Sequence, residues 1–375
     1  RLIVPAANAA EAAVVEGLEV YGVENLREAW DFITGQRILQ PYDLDRQALF
    51  DTRRRYEIGL EDVKGQHQVK RALEVAAAGG HNLLMSGPPG SGKSMLASRL
   101  PGILPPLDAS EALEVSMSSS SAGELKEGRL SQHRPFRDPH HSASVAAIIG
   151  GGRRANPGEV SLAHQGVLFL DELPEFGRQV LETLRQPIEA GRAVIARANL
   201  HVTYPARFQL VAAMNPCRCG YMADAARACS RAPKCGTDYK SRISGPMLDR
   251  IDIFVDVPEV SALDLTQPAA SETTEVVAER VANARDMQRR RYQGLQSTPR
   301  IRTNAEAEGQ VLEKVAVLDP DSQALMQSAI SKFKLSARGY HRVLKVARTL
   351  ADLEGIENIR KHHVAEALGY RQAVT

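Results

Sequence analysis

Residues 87–94, GPPGSGKS, constrain the fold of this chain more than any other stretch. The spacing G-x-x-x-x-G-K-S belongs to a loop that must follow a buried strand and open a helix. There, backbone N–H groups curl around phosphate oxygens at the positive end of that helix. Both flanks agree: residues 81–86, HNLLMS, form a short apolar run that reads as a buried strand, and the residues up to Pro101 are compatible with a helix. Gly87, Gly90 and Gly92 leave the backbone free to curl, and Pro88, Pro89 and Ser91 complete the loop. Lys93 would reach β- and γ-phosphates, and Ser94 would ligate Mg²⁺. The chain is expected to hold a nucleoside triphosphate on an α/β scaffold.

Two further apolar runs end in polar side chains. GVLFLDEL sets four consecutive apolar residues before Asp171 and Glu172, as in a central parallel strand whose C-terminal end opens on a ligand crevice. Asp171 would hold the metal through water, and Glu172 would polarise the attacking water as general base. Solvated acids at a strand end are the plainer alternative. RFQLVAAMNP ends in Asn215, which would position that water or sense the γ-phosphate unless it only turns the chain before Pro216. The order strand, acids, strand, Asn favours the first role and a nucleotide-hydrolysing core of the AAA+ kind.

At 375 residues there is room for two or three domains. Apolar residues at 43% and charged residues at 25% are ordinary for a soluble globular protein. No apolar run approaches the ~20 residues that cross a bilayer, and no signal-peptide pattern opens the chain. Because it starts at Arg1 rather than Met, further sequence upstream is expected. All four cysteines fall between positions 217 and 235. Without secretory features, that clustering indicates a reducing compartment and a metal or redox role rather than a disulfide framework. The net charge of +2 conceals basic stretches. Residues 126–154 carry six Lys/Arg against two acids, 185–207 four against one, and 216–250 seven against three.

The chain resembles the magnesium-chelatase-like AAA+ ATPases of the ComM/YifB type. The resemblance runs through DVKGQHQVKRALEVAAAGGHNLLMSGPPGSGKS, VLFLDELPEF, FQLVAAMNPC, RISGPMLDRIDIFVDVP and LSARGYHRVLKVARTLADLEG, and covers essentially the whole length. It implies an α/β fold: an AAA+ P-loop NTPase parallel-sheet core at 36–258, an α-helical lid at 259–375, and at 1–35 the tail of a Lon-protease-like domain. It also implies a hexameric motor, cytoplasmic and nucleoid-associated in bacteria, that spends ATP with Mg²⁺ on DNA branch migration during recombination in natural transformation. DNA in a central channel and recombinase-associated proteins are the implied partners, with no membrane. In such proteins Val63, Gly65 and Gln66 pack on the adenine. Arg250, in GPMLDRID, stands where an arginine finger reaches the neighbouring subunit's γ-phosphate; an ordinary pairing with Asp249 or Asp252 is the alternative. The amphipathic run Val343, Leu344, Val346, Ala347, Leu350 marks a lid helix. Arg338 at its start matches the sensor-2 arginine of the chain's own nucleotide, with Arg342 as fallback.

Residues 131–158 and 192–204 look like the family's helix-2 and pre-sensor-1 insertions, the second alternating like a β-hairpin. They imply phosphate contacts from Arg137, Arg153, Arg154 and Arg197 without base reading, with surface loops or subunit contacts as the alternative. His140 and His141 read as a solvated pair rather than as metal ligands. In the loop 216–236, Cys217, Cys219, Cys229 and Cys235 suffice for a tetrahedral zinc site, although an iron–sulfur cluster or plain thiols would also account for them. Zinc is the expectation, and its place between Asn215 and Arg250 suggests support for ring assembly. Residues 1–35 read as strand, helix, strand, helix and a Gly stop, with no protease Ser–Lys pair. Two rivals remain: the motor subunit of a metal-inserting chelatase, and a nucleotide-gated scaffold that hydrolyses weakly. The presence of Glu172 and Arg250 counts against the scaffold.

Overall fold

The structure, a computed structural model, describes residues 1–15, 17–43, 58–125, 130–152, 155–197, 200–222, 227, 230–260, 272–295 and 301–372. Two units are formed: Arg1–Arg55 with Pro106–Arg134, and Tyr56–Pro105 with Pro135–Thr375. In the first, β1 (Leu2–Pro5) and β2 (Val20–Val23) pair in parallel. The helix Ala9–Ala12 lies between them in sequence, and Leu26–Ile33 follows. Asn25 caps that last helix by accepting from the Glu28 N–H at 3.0 Å. This is the alternation read from residues 1–35. Ala109–Ala122, in the same unit, opens on a capping box of Asp108 and Glu111.

The second unit supplies β3 (Leu83–Ser86), β4 (Phe136–Arg137), β5 (Gly150–Gly151), β6 (Asn156–Pro157), β7 (Val167–Leu170), β8 (Arg192–Arg197), β9 (Leu200–Pro205), β10 (Gln209–Met214) and β11 (Ile253–Asp256). Five of these make one all-parallel sheet in the order β11-β3-β10-β7-β4. Its central strands are buried along their length, as a sheet covered on both faces requires. Because side chains alternate, each strand feeds two cores. Leu83, Met85, Phe169, Val211 and Ile253 face one cluster, while Leu84, Leu168, Leu170, Ala212 and Phe254 face the other.

The first cluster is completed by the helix His67–Gly79 and by the C-terminal helices Thr274–Gln293, Pro320–Phe333, Ala337–Leu353 and Lys361–Gln372. In Ala337–Leu353 the residues Val343, Leu344, Val346, Ala347 and Leu350 are buried, as their spacing predicts. The second cluster is covered chiefly by the helix Arg178–Ala190. β8 and β9 form the expected hairpin, in register from Arg192 opposite Pro205 to Arg197 opposite Leu200. Residues 131–158 depart from expectation. They contain β4, the edge strand of the core sheet, whose Phe136 pairs with Val167 and stacks on Phe169 at 6.0 Å. Among the described residues no helix is long and apolar enough to cross a membrane.

One buried charge cluster ties the start of β11 to the C-terminal helices. Asp252 accepts from the Asn82 N–H at 3.2 Å, faces His81 Nδ1 at 3.4 Å and is ion-paired with Arg342. Burial alone would raise its pKa, but His81 and the charges of Arg342 and Lys345 outweigh that and hold it well below the usual carboxylate range. A depressed carboxyl contributes stability above its unfolded pKa of about 3.9, and that stability is lost as pH falls toward the folded value. Asp252→Asn is expected to cost about 3–5 kcal/mol at neutral pH by stranding Arg342. Denaturant unfolding should show the gap between wild type and variant narrowing below about pH 4.

Candidate active site

β3, β7 and β10 lie in register, Leu84 and Leu170 both level with Ala212, so the residues beyond their C-terminal ends meet on one rim of the sheet. The phosphate-type loop leaves β3 at Gly87, where only glycine fits: a Cβ would lie 2.2 Å from the Val257 carbonyl oxygen. Gly87 N–H donates to Met214 O at 3.2 Å, which pins the loop to the end of β10. The loop then passes Gly92 into the helix Lys93–Ala97. Residues 63–66 border it. Val63 is buried, and Gln66 donates through Nε2 to Pro258 O at 2.6 Å and lies 3.5 Å from Ser91 O.

Lys93 is folded into the loop. Its Nζ donates to Gly87 O and Pro88 O at 2.8 Å each and to Asn215 Oδ1 at 3.2 Å. Burial lowers the ammonium's pKa against the opposing pull of Asp171 and Glu172. Ser94 Oγ donates to Asp171 Oδ2 at 2.6 Å. A hydroxyl and a carboxylate in contact beside a phosphate loop are the hard oxygen donors that suit Mg²⁺. Asp171 Oδ1 in turn accepts from Glu172 N at 2.8 Å. Glu172 adopts a left-handed backbone with φ of 51°, uncommon outside glycine, and leaves its carboxylate half exposed. Lys93, Ser94, Asp171, Glu172 and Asn215, far apart in sequence, are thus brought together.

One neighbour of this group escaped sequence reasoning. His141 Nδ1 lies 3.4 Å from Glu172 Oε2, and its ring meets Phe176 edge-on at 6.5 Å between centroids. The His140-His141 pair is therefore not merely solvated: one member partners the candidate base. No periodicity could have announced it.

Arg250 and Arg338 belong to a second set. The buried guanidinium of Arg250 donates to Pro246 O and pairs with Glu189, whose side chain is 61% exposed and so lies on the solvent side. Neither Asp249 nor Asp252 is its partner: Asp249 sits 3.6 Å from Arg338, and Asp252 takes Arg342. Burial lowers the Arg250 pKa, Glu189 opposes this, and Arg185, Arg338 and Arg342 push it further down. Four guanidinium groups are concentrated here. Arg338, expected at the chain's own nucleotide, stands exposed beside Asp249, and its charge acts on Arg250.

Among the arginines read as phosphate contacts, Arg137 lies on β4 and is bound through two nitrogens to Glu159, at 2.6 and 2.9 Å. It is part of the core sheet, not of an inserted loop. Arg153 and Arg154 lie outside the described residues, as does the side chain of Arg197 at the end of β8. Cys229 also lies outside them. Cys217, Cys219 and Cys235 bring their sulfurs within 4.8 Å of one another, with 3.1 Å between the first two. That convergence fits a thiophilic metal ion. A second cluster, Glu354 with His362 and His363, lies on the C-terminal helices.

A phosphate loop, a hydroxyl–carboxylate pair, a candidate base and an Asn on adjacent parallel strands define a P-loop nucleotide site of the AAA+ class. The chain matches the family of magnesium chelatase subunit ChlI over residues 59–265 and the ChlI C-terminal family over 271–371, and it belongs to this family. Membership implies use of ATP and Mg²⁺. The chain is 43% identical over 379 residues to competence protein ComM of Haemophilus influenzae, covering all of this chain and 72% of that one. It is 40% identical over 375 residues to the uncharacterized protein YifB of Escherichia coli, covering 99% and 71%. A shorter match, 28% over 171 residues, joins it to the magnesium-chelatase 38 kDa subunit of Rhodobacter capsulatus, covering 41% and 49%.

Replacing Glu172 with Gln keeps the shape of the side chain and removes the basic oxygen. Nucleotide binding should persist, while ATP turnover falls about 10²- to 10⁴-fold. Comparing equilibrium binding with steady-state hydrolysis separates the two effects.

Proposed function

We propose that the chain is the motor part of a hexameric ring, an ATP-driven DNA translocase that promotes branch migration during recombination in natural transformation. One observation carries this reading: Arg250 is gathered with Arg185, Arg338 and Arg342 and has a solvent-side carboxylate, Glu189, on its guanidinium. Such a set suits the phosphates of an adjoining protomer. The similarity to competence protein ComM supports the biological setting.

In this mechanism Lys93 exchanges its loop carbonyls for β- and γ-phosphate oxygens. Ser94 and Asp171 would hold Mg²⁺, which would supply charge neutralisation on the phosphates. Glu172 orients and deprotonates the attacking water, and Asn215 fixes Lys93 while reading the γ-phosphate side. Arg250 acts on the neighbour's nucleotide, and Arg338 works beside it rather than on the chain's own phosphate. Val63, Gly65 and Gln66 border the base. The hairpin of β8 and β9, with Arg153 and Arg154, would carry DNA phosphates through the channel. Cys217, Cys219 and Cys235, with Cys229, would hold zinc as a structural ion.

Mixing inactive Lys93→Ala and Arg250→Ala subunits tests the shared site. Each alone should lose at least about 10³-fold in turnover, and the mixture should recover activity, since an intact loop can face an intact arginine. No recovery would remove the trans role of Arg250. Hydrolysis should rise on adding DNA, with binding that weakens steeply with salt. Indifference to DNA combined with a response to a protein partner would favour the chelatase-type motor, which the Rhodobacter match keeps in view.

A further inference from the structure

The run that leaves β10 does not merely pass the phosphate loop; it touches it three times. Met214 O accepts from Gly87 N at 3.2 Å, and Asn215 Oδ1 accepts from Lys93 Nζ at 3.2 Å. Further along, Gly220, with φ of +86°, packs so tightly on Pro89 that a Cβ would stand 2.4 Å from its Cδ and 2.5 Å from its Cγ. Between the second and third contacts stand Cys217, fully buried, and Cys219. Their turn is closed by Gly220 N donating to Cys217 O at 3.0 Å. Cys235, on the helix Lys234–Lys240, brings the third sulfur to the same point.

A tetrahedral thiolate site spaces its sulfurs about 3.8 Å apart. Binding a metal would therefore fix the separation of residues 217 and 219, and with it the position of Gly220 against Pro89. We propose that the cysteine knot is a metal-dependent brace of the chain's own phosphate loop. The ligand class is a thiophilic divalent ion, zinc, and its occupancy sets nucleotide affinity within the chain through the Gly220–Pro89 contact. This rests on the reading of residues 87–94 as a nucleotide site and is independent of the role of Arg250. Gly220 is a positioning residue: it touches the loop, not the nucleotide.

The test uses the full chain in an Arg250→Ala background, so that a neighbour's arginine contributes nothing. Zinc is measured, then stripped with 1,10-phenanthroline, which leaves Mg²⁺ in place, and a fluorescent ATP analogue is titrated before and after. Stripping should weaken binding about tenfold, and zinc but not extra Mg²⁺ should restore it; tenfold corresponds to about 1.4 kcal/mol. Gly220→Ala should keep its zinc yet lose affinity to a similar degree. Adding Pro89→Ala, which removes the ring carbons the new methyl strikes, should recover part of the loss. Purified protein without zinc would overturn the proposal, and so would zinc whose removal leaves affinity unchanged. A zinc-loaded chain that binds no nucleotide at all would instead overturn the underlying reading of the phosphate loop.

Discussion

Parallel register is the constraint on which everything else in the second unit depends. Leu170 and Leu84 both stand level with Ala212, so Asp171, Gly87 and Asn215 emerge within a residue or two of the same height. Only because of this can Ser94 reach Asp171 and Lys93 reach Asn215. A slip of one residue would turn every side chain of a strand to the opposite face and exchange the two hydrophobic clusters. The register is therefore enforced by the cores. Burial of Met85, Val211 and Phe169 on one face and Leu84, Ala212 and Leu170 on the other leaves one pairing that satisfies both.

Charge is distributed on the same principle of forced proximity. At the phosphate loop a buried cation is surrounded by carbonyls and a carboxamide, with two carboxylates nearby that favour its charged form. Around Arg250 the balance is reversed: several guanidinium groups disfavour one another, and individual acids are assigned one to each. An arginine cannot relieve burial by losing its proton under ordinary conditions. The cluster is accordingly stable only with anions attached. Glu189, the most exposed of those acids, is the one most easily exchanged for an anion from outside.

The parts of the fold legible in the sequence are those set by local periodicity. The buried runs of β3, β7 and β10, the hairpin alternation of residues 192–204 and the stripe of Ala337–Leu353 all carry their structure in short-range pattern. The phosphate loop and the acids were equally readable, since their chemistry depends on spacing along the chain. β4 was hidden because a two-residue strand between Pro135 and Pro139 has no period to detect. Arg137, taken for a loop cation, was misplaced for that reason. The partners His141–Glu172, Arg250–Glu189 and Gly220–Pro89 were invisible for another: each joins segments that meet only after the sheet has formed.

The placing of the cysteines follows from the demands on residues 216–250. This segment begins on the phosphate loop, passes the acid strand where Arg242 Nη1 meets Glu175 at 3.0 Å, and ends at Arg250. It must be held firmly at three functional points. Yet among its described residues the apolar side chains it buries are few: Cys217, Tyr239, Ile243 and Met247. Its excess of basic residues adds repulsion rather than cohesion. Hydrophobic burial of that size cannot offset the cost of ordering so long a connection, roughly 1–2 kcal/mol for each backbone residue fixed. Beside the ion pairs of Arg227, Arg231 and Arg242 with Glu259, Asp238 and Glu175, a cross-link is a further physical means. In a segment whose ends are occupied by a lysine contact and an ion pair, the proposed metal ion held by converging thiols would supply one without adding bulk to either site.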